Sequence, residues 1–191
     1  NGSQLTRYAQ DLFDYGVRRA NVSLDTLNAA KFKKLTRFGD LKKVVAGIEK
    51  AKSVGIRIKI NFVALQNIND DELFQILEWC DRNDFDLTFI EVMPLGNFKS
   101  EHRLSQYWSL SDLKRQIEIK YNLKSLSLKT GGPSKYYQIS ETGQTIGFIT
   151  PLSHNFCGTC NRVRLTCTGE LHTCLGQSNK TDLRKIVRDY P

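Results

Sequence analysis

The sequence predicts an α/β fold in two parts: parallel βα units over residues 1–95 and an antiparallel β section over residues 96–191. Three observations carry this. Apolar strand-like stretches are separated by single amphipathic helices at intervals of about 30–35 residues, the spacing of parallel βαβ units. Neither Gly-x-Gly-x-x-Gly nor Gly-x-x-x-x-Gly-Lys-Ser/Thr occurs, which leaves the dinucleotide-binding and P-loop arrangements unsupported and favours a barrel-type sheet. After Leu95 the pattern changes to short strands and turns.

Element by element, residues 3–15 place Leu5, Ala9, Leu12 and Phe13 on one helical face, with Gly16 as the stop. Arg19 to Asp25 reads as a short strand around Ala20, Val22 and Leu24. Asp40 caps a helix whose inner face is Leu41, Val44, Val45 and Ile48 and which ends near Gly55. Residues 56–65 alternate and then become continuously apolar, as a largely buried strand does. Asn69 and Glu72 form an expected capping box for a helix carrying Leu73, Ile76, Leu77 and Cys80. The next strand spans 86–95 and ends at Met93-Pro94. A polar loop from Asn97 to Tyr107 follows, then a helix over 111–122 and strands over 124–129, 135–140, 145–150 and 162–168. Turns at Gly131-Gly132-Pro133 and Glu141-Thr142-Gly143 separate the first three of these, and a last helix spans 182–189. The array opens at Asn1-Gly2 directly into a helix where a strand is expected, so its front is expected to lie upstream.

Composition narrows the class. Of the 191 residues 40% are hydrophobic and 25% charged, which excludes disorder and collagen-like repeats. No apolar run approaches the roughly 18–20 residues that span a bilayer, and no signal peptide opens the sequence, so a cytoplasmic protein without membrane association is expected. A net charge of +8 points to an anionic partner such as nucleic acid, nucleotide or phosphate. Four of the five cysteines, Cys157, Cys160, Cys167 and Cys174, lie within one short stretch. With an odd total and no secretory signal, they favour a metal or redox site over a disulfide framework.

Cys157-Gly158-Thr159-Cys160 can turn two thiolates toward one ion. Thirteen residues then separate Cys160 from Cys174, enough for a strand, a Thr168-Gly169-Glu170 turn and a return strand. Strand parity puts Arg162 and Arg164 on one face beside the thiolates and points Cys167 away. Zinc, with Cys167 or His172 as a fourth ligand, and an iron–sulfur cluster with one open iron both remain consistent with the spacing. The two arginines favour the open iron, because their guanidiniums suit an anionic ligand held there.

The segment Phe156-Cys-Gly-Thr-Cys-Asn-Arg-Val-Arg-Leu-Thr, with Thr168-Gly-Glu-Leu and Cys174-Leu175, resembles the C-terminal cluster motif of the GTP 3′,8-cyclase family of radical S-adenosylmethionine enzymes. Asn1-Gly2, Asn21-Val-Ser-Leu-Asp-Thr-Leu27, Lys59-Ile-Asn61, Asn69-Asp-Asp-Glu72 and Phe89-Ile-Glu-Val-Met-Pro94 resemble further landmarks of that family, in its order. The resemblance implies a partial TIM-type barrel whose open side is covered by the C-terminal part. It implies that Cys157, Cys160 and Cys174 hold a 4Fe–4S cluster whose open iron binds the guanine of GTP. Arg162, Val163 and Arg164 then contact the nucleotide, Lys59 its phosphates, and Ser23, Met93 and Asn1 the S-adenosylmethionine. Taken by themselves, Ser23 is equally a strand-end cap, Met93 core filling and Lys59 an edge lysine.

The implied reaction takes hydrogen from the ribose C3′ of GTP with a 5′-deoxyadenosyl radical, and the carbon radical attacks C8 of the guanine. It is the first step of molybdenum cofactor biosynthesis and needs a second 4Fe–4S cluster in a Cys-x-x-x-Cys-x-x-Cys motif. That motif is absent here, as are the family's Gly-Gly-Glu-Pro element and its C-terminal Gly-Gly tail, and position 167, usually small and uncharged, is cysteine. The expectation is a piece of a longer enzyme, inactive alone and with apolar sheet edges exposed. Implied partners are GTP, an electron donor, cyclic pyranopterin monophosphate synthase as the next enzyme, and a second copy in a homodimer. No nucleic acid is expected. Two other classes stay open: another radical enzyme with an auxiliary cluster, such as a peptide-modifying maturase, and a non-catalytic zinc module that holds nucleic acid by charge.

Overall fold

The computed structural model describes residues 1–93, 105–128, 130, 132–153, 162–174 and 179–190. Most of the polar loop expected over 97–107, Pro94, Gly131, Cys157 and Cys160 lie outside them.

The first helix, α1 (Leu5–Asp14), buries Ala9 fully and rests Leu5, Leu12 and Phe13 on the core. Gly16 ends it at φ 92°. Its N–H bonds the carbonyl of Phe13 while Val17 N–H bonds that of Leu12, the paired closure that a left-handed residue permits. Strand β1 (Arg19–Ser23) is shorter than expected. Helix α2 (Ala29–Thr36) has no counterpart in the sequence expectations. Phe32 is its one buried side chain, too little to make a periodic pattern, and Asn28 starts it by accepting from the N–H groups of Ala30 and Lys31 at 2.9 and 3.0 Å. Helix α3 (Leu41–Ser53) is capped by Asp40, as expected, and buries Val44 and Ile48.

Strand β2 (Arg57–Ala64), helix α4 (Leu73–Arg82) and strand β3 (Asp86–Glu91) complete the parallel array. The capping box before α4 does not form. Residues Asp70–Glu72 make a single 3-10 turn, and neither Asn69 nor Glu72 caps with its side chain. Both side chains are drawn into the ends of the strands instead, for reasons given below.

Helix α5 (Leu110–Lys120) leads to β4 (Leu123–Leu126), β5 (Lys135–Ile139) and β6 (Thr145–Ile149). These strands extend the first sheet. The six-stranded order is β1-β2-β3-β6-β5-β4, with β1, β2, β3 and β6 parallel and the last two pairings antiparallel. The architecture is thus mixed α/β on a sheet in which parallel pairing dominates. Ile58, Ile60, Phe62, Leu87, Phe89, Ile146 and Phe148 are buried in one core with residues of α3, α4 and α5.

A second sheet, β7 (Arg164–Leu165), β8 (Glu170–His172) and β9 (Lys180–Asp182), is antiparallel and precedes α6 (Leu183–Asp189). The strand expected over 162–168 therefore narrows to two residues. Strand β9 escaped the sequence because all three of its residues are exposed and polar, so the ladder alone defines it.

Candidate functional site

Strand alternation leaves one face of β2 to Ile58, Ile60 and Phe62 and the other to Arg57, Lys59 and Asn61. Parallel register sets Asn21 and Ser23 of β1 beside Lys59 and Asn61, and Asp86 and Thr88 of β3 on their other side. The face opposite the helices is consequently polar through the middle of the sheet. Lys59 is no edge lysine: it lies between two paired strands and is 6% exposed.

Its ammonium group donates a hydrogen bond to the Tyr136 hydroxyl and stands 4.6 Å from the centre of that ring. The hydroxyl is also 2.7 Å from Thr130 Oγ1. Burial raises the phenol of Tyr136, but its hydrogen bonds with Lys59 and Thr130 outweigh it and hold the pKa below the ordinary tyrosine value. Among the described residues, no carboxylate lies within ion-pair distance of Lys59; its neighbour Asp86 pairs with Arg57 at 2.9 Å. The Thr88 hydroxyl is buried and has no hydrogen-bond partner among the described residues, and the buried Ser134 hydroxyl lies next to it. Both border Gly147, where a Cβ would collide with Ser134 and lie 2.9 Å from Thr88 Oγ1. A buried cation without a carboxylate partner among the described residues is a costly arrangement that an anionic ligand would relieve.

The C-terminal ends of the parallel strands are tied by a second polar group. Asn69, fully buried, accepts from Leu65 N–H at 2.8 Å and donates to the carbonyls of Asp25 and Val63 at 2.8 and 2.9 Å. Glu72 accepts from Thr26 Oγ1 at 2.7 Å and from Leu27 N–H at 2.8 Å, and pairs with Lys31 at 3.0 Å. Asp25 accepts from Val63 N–H at 2.8 Å; burial raises its pKa and that bond only partly offsets the shift. These bonds are the physical reason the capping box fails, since both side chains are already committed to backbone groups at the strand ends.

Glu91, the last residue of β3 and 1% exposed, does the same for the other side. It accepts from Tyr107 Oη at 2.9 Å and from the N–H groups of Leu152 and Ser153 at 2.9 and 3.0 Å. Burial raises its pKa, but these donors prevail and leave it below the ordinary carboxylate value. Met93 follows two residues later and is half-buried.

The remaining candidates sit apart. Ser23 is exposed at the end of β1, and Asn1 is exposed before α1, accepting from Ser3 N–H at 3.2 Å. In the β7–β8 hairpin Arg164 pairs with His172, and the same register carried two residues on sets Arg162 opposite Cys174. Arg162, Val163 and Arg164 are exposed and Cys174 is half-buried. Cys167 is exposed in the turn itself, a placement that strand parity does not describe. Cys80 is buried in α4, and desolvation pushes its thiol far up. Among the described residues no three His, Cys, Asp or Glu side chains converge as metal ligands would. Sequence reasoning missed Tyr136 and the tethering role of Glu91. An acidic residue closing the apolar run Phe89-Ile90 was a signal for the second, whereas nothing near Lys59 in sequence pointed to the first.

Comparison with known proteins places this geometry. Residues 1–80 match the Radical SAM superfamily and residues 85–191 match Molybdenum Cofactor Synthesis C. The chain is 57% identical to a GTP 3′,8-cyclase of Paracoccus denitrificans over 98% of its own length and 55% of the relative's. It is 52% identical to that of Rhodobacter capsulatus over 98% of its length and 57% of the relative's. Against that of Nitrobacter winogradskyi it is 53% identical over 100% of its length and 55% of the relative's. The chain thus spans about half the length of the curated relatives it matches. With more than half of its residues inside that family's span, the chain belongs to the Molybdenum Cofactor Synthesis C family.

Proposed function

We propose that the chain carries the nucleotide-binding face and the substrate-side cluster ligands of a GTP 3′,8-cyclase. That enzyme converts GTP to (8S)-3′,8-cyclo-7,8-dihydroguanosine 5′-triphosphate, the first step of molybdenum cofactor biosynthesis. The observation that supports this most directly is Lys59, a buried ammonium without a carboxylate partner among the described residues, on the same sheet face as Ser23. A buried ammonium with only a phenol to accept from it suits an anionic ligand, and in this reading that ligand is the triphosphate.

In this reading Lys59 binds the phosphates, while Arg162, Val163 and Arg164 hold the nucleotide beside Cys157, Cys160 and Cys174. Ser23, Met93 and Asn1 line the S-adenosylmethionine site. A donor set of three thiolates fits a 4Fe–4S cluster with one open iron. When bound, the cluster would supply an open iron as a seat for the guanine and S-adenosylmethionine would supply radical chemistry; the reaction calls for a second cluster, whose Cys-x-x-x-Cys-x-x-Cys motif does not occur in these 191 residues. The chain's own part is positional. The helix-covered face keeps water from behind β2, the Asn69–Glu72 and Glu91 tethers fix the strand ends where parallel α/β folds hold their ligands, and Lys59 orients the triphosphate.

The sheet would then be the C-terminal half of the partial barrel, residues 1–95, with residues 96–191 as the cluster-bearing part. GTP, an electron donor, cyclic pyranopterin monophosphate synthase and a second copy are the proposed partners, in the cytoplasm. Among the described residues no helix is long and apolar enough to cross a membrane. Anaerobic reconstitution tests the reading: about four iron and four sulfide per chain, lost in Cys174→Ala, are expected. Stoichiometric zinc without sulfide overturns it, and a reconstituted cluster indifferent to GTP moves the chain to another radical enzyme class.

A further inference from the structure

We infer that Tyr136 is the positioning residue for Lys59, and that the chain's affinity for the phosphates of its ligand depends on the Tyr136 hydroxyl. The inference rests on Lys59 being the phosphate contact and adds what aims it. A lysine has four rotatable bonds and three donors, so a buried ammonium holds one direction only if something accepts from it. Tyr136 reaches across from β5, 77 positions away in sequence, and is 4% exposed. Because the ammonium can only donate, the Tyr136 oxygen accepts from it, and the same hydroxyl is held on its other side by Thr130 Oγ1 at 2.7 Å. The ring face, 4.6 Å from the nitrogen, blocks one side of the ammonium. Two donors remain, and the buried hydroxyls of Thr88 and Ser134 border the same tyrosine at Gly147.

Tyr136→Phe separates these contributions, because it keeps the ring and removes only the oxygen. In the ligand-free chain the Lys59 Nζ resonance in ¹H–¹⁵N spectra is expected to be visible through slow exchange and to vanish in Tyr136→Phe. With that variant, dissociation constants for GTP and for inorganic tripolyphosphate are expected to rise about tenfold, while that for guanosine stays unchanged. Thr130→Val should give a smaller change in the same direction. A Lys59 signal and a tripolyphosphate affinity unmoved by Tyr136→Phe would overturn the inference, and so would equal weakening of GTP and guanosine, the mark of a general packing defect. Lys59→Ala serves as the control: if it leaves tripolyphosphate affinity intact, it is the phosphate reading of Lys59 that has failed.

Discussion

Lys59 puts a positive charge where the fold itself has no use for one. The flanking positions Ile58 and Ile60 are buried, and the strand would be stable with a long apolar residue between them on the other face. Replacing it with methionine keeps the length and removes a desolvation cost that a tyrosine hydroxyl alone does not offset. Lys59→Met is therefore expected to raise the stability of the ligand-free chain by about 1–3 kcal/mol in denaturant unfolding while eliminating binding of tripolyphosphate. A destabilised variant would mean that the lysine serves the fold. Lys59 was legible as a candidate only through the resemblance of Lys59-Ile60-Asn61 to a family landmark, and its environment was not legible at all. Tyr136 sits in Lys-Tyr-Tyr-Gln-Ile, where either tyrosine can face the polar side until the register Tyr136↔Gly147 is known. Periodicity reports which residues share a face, and only pairing across the sheet reports what they meet.

At the level of elements, the ends of β1, β2 and β3 are fastened by side chains rather than by caps. A lost exposed N-cap costs about 1 kcal/mol. Asn69 instead holds one N–H and two carbonyls while fully buried, so Asn69→Ala is expected to cost about 2–4 kcal/mol in equilibrium unfolding. A loss near 1 kcal/mol would restore the capping role. The pattern Asn-x-x-Glu before an apolar helix is the sequence signature of a box, and it misled because the same two side chains reach strand ends that are remote in sequence. The strands of the six-stranded sheet and most helices, in contrast, were legible from local alternation and from Gly16 and Asp40. Glu91 carries the pH dependence of this layer. Its pKa is lower in the fold than its ordinary value of 4.5, so its contribution is complete above pH 4.5 and is lost as the pH falls through the depressed folded value. Acid unfolding followed by circular dichroism should therefore be less steep over that range in Glu91→Gln, which has no carboxylate to protonate, than in the wild type. Amide exchange at Leu152 and Ser153 should be faster in the variant at neutral pH.

Across the whole molecule, the segment carrying β1–β3 and the segment carrying β4–β6 are parts of one sheet. Strand β6 lies between β3 and β5, so it continues the parallel array, and β5 and β4 extend the same sheet by antiparallel pairing. An aromatic row crosses that junction on the helix-covered face. Phe62 meets Phe89 at 5.7 Å, Phe89 meets Phe148 at 5.7 Å, and Phe148 meets Tyr137 at 5.5 Å, each in a tilted or edge-on arrangement. On the opposite face of β6, Gly147 admits no side chain without displacing Ser134 and Thr88, which fixes how closely β5 and its loop approach. Packing of this kind couples both sides of the junction, because removing one ring leaves a cavity that strands from both segments must line. Phe148→Ala is expected to cost about 3–5 kcal/mol and to lower the stability of β1–β3 and of β4–β6 together. The measurement is denaturant unfolding read by fluorescence of Trp79 in α4 and Trp108 before α5, each isolated by a Trp→Phe replacement of the other. Coincident transitions that shift by the same amount are expected. Two separate midpoints, with Trp79 insensitive to the loss of Phe148, would mean that the sheet is shared in geometry but not in cooperativity.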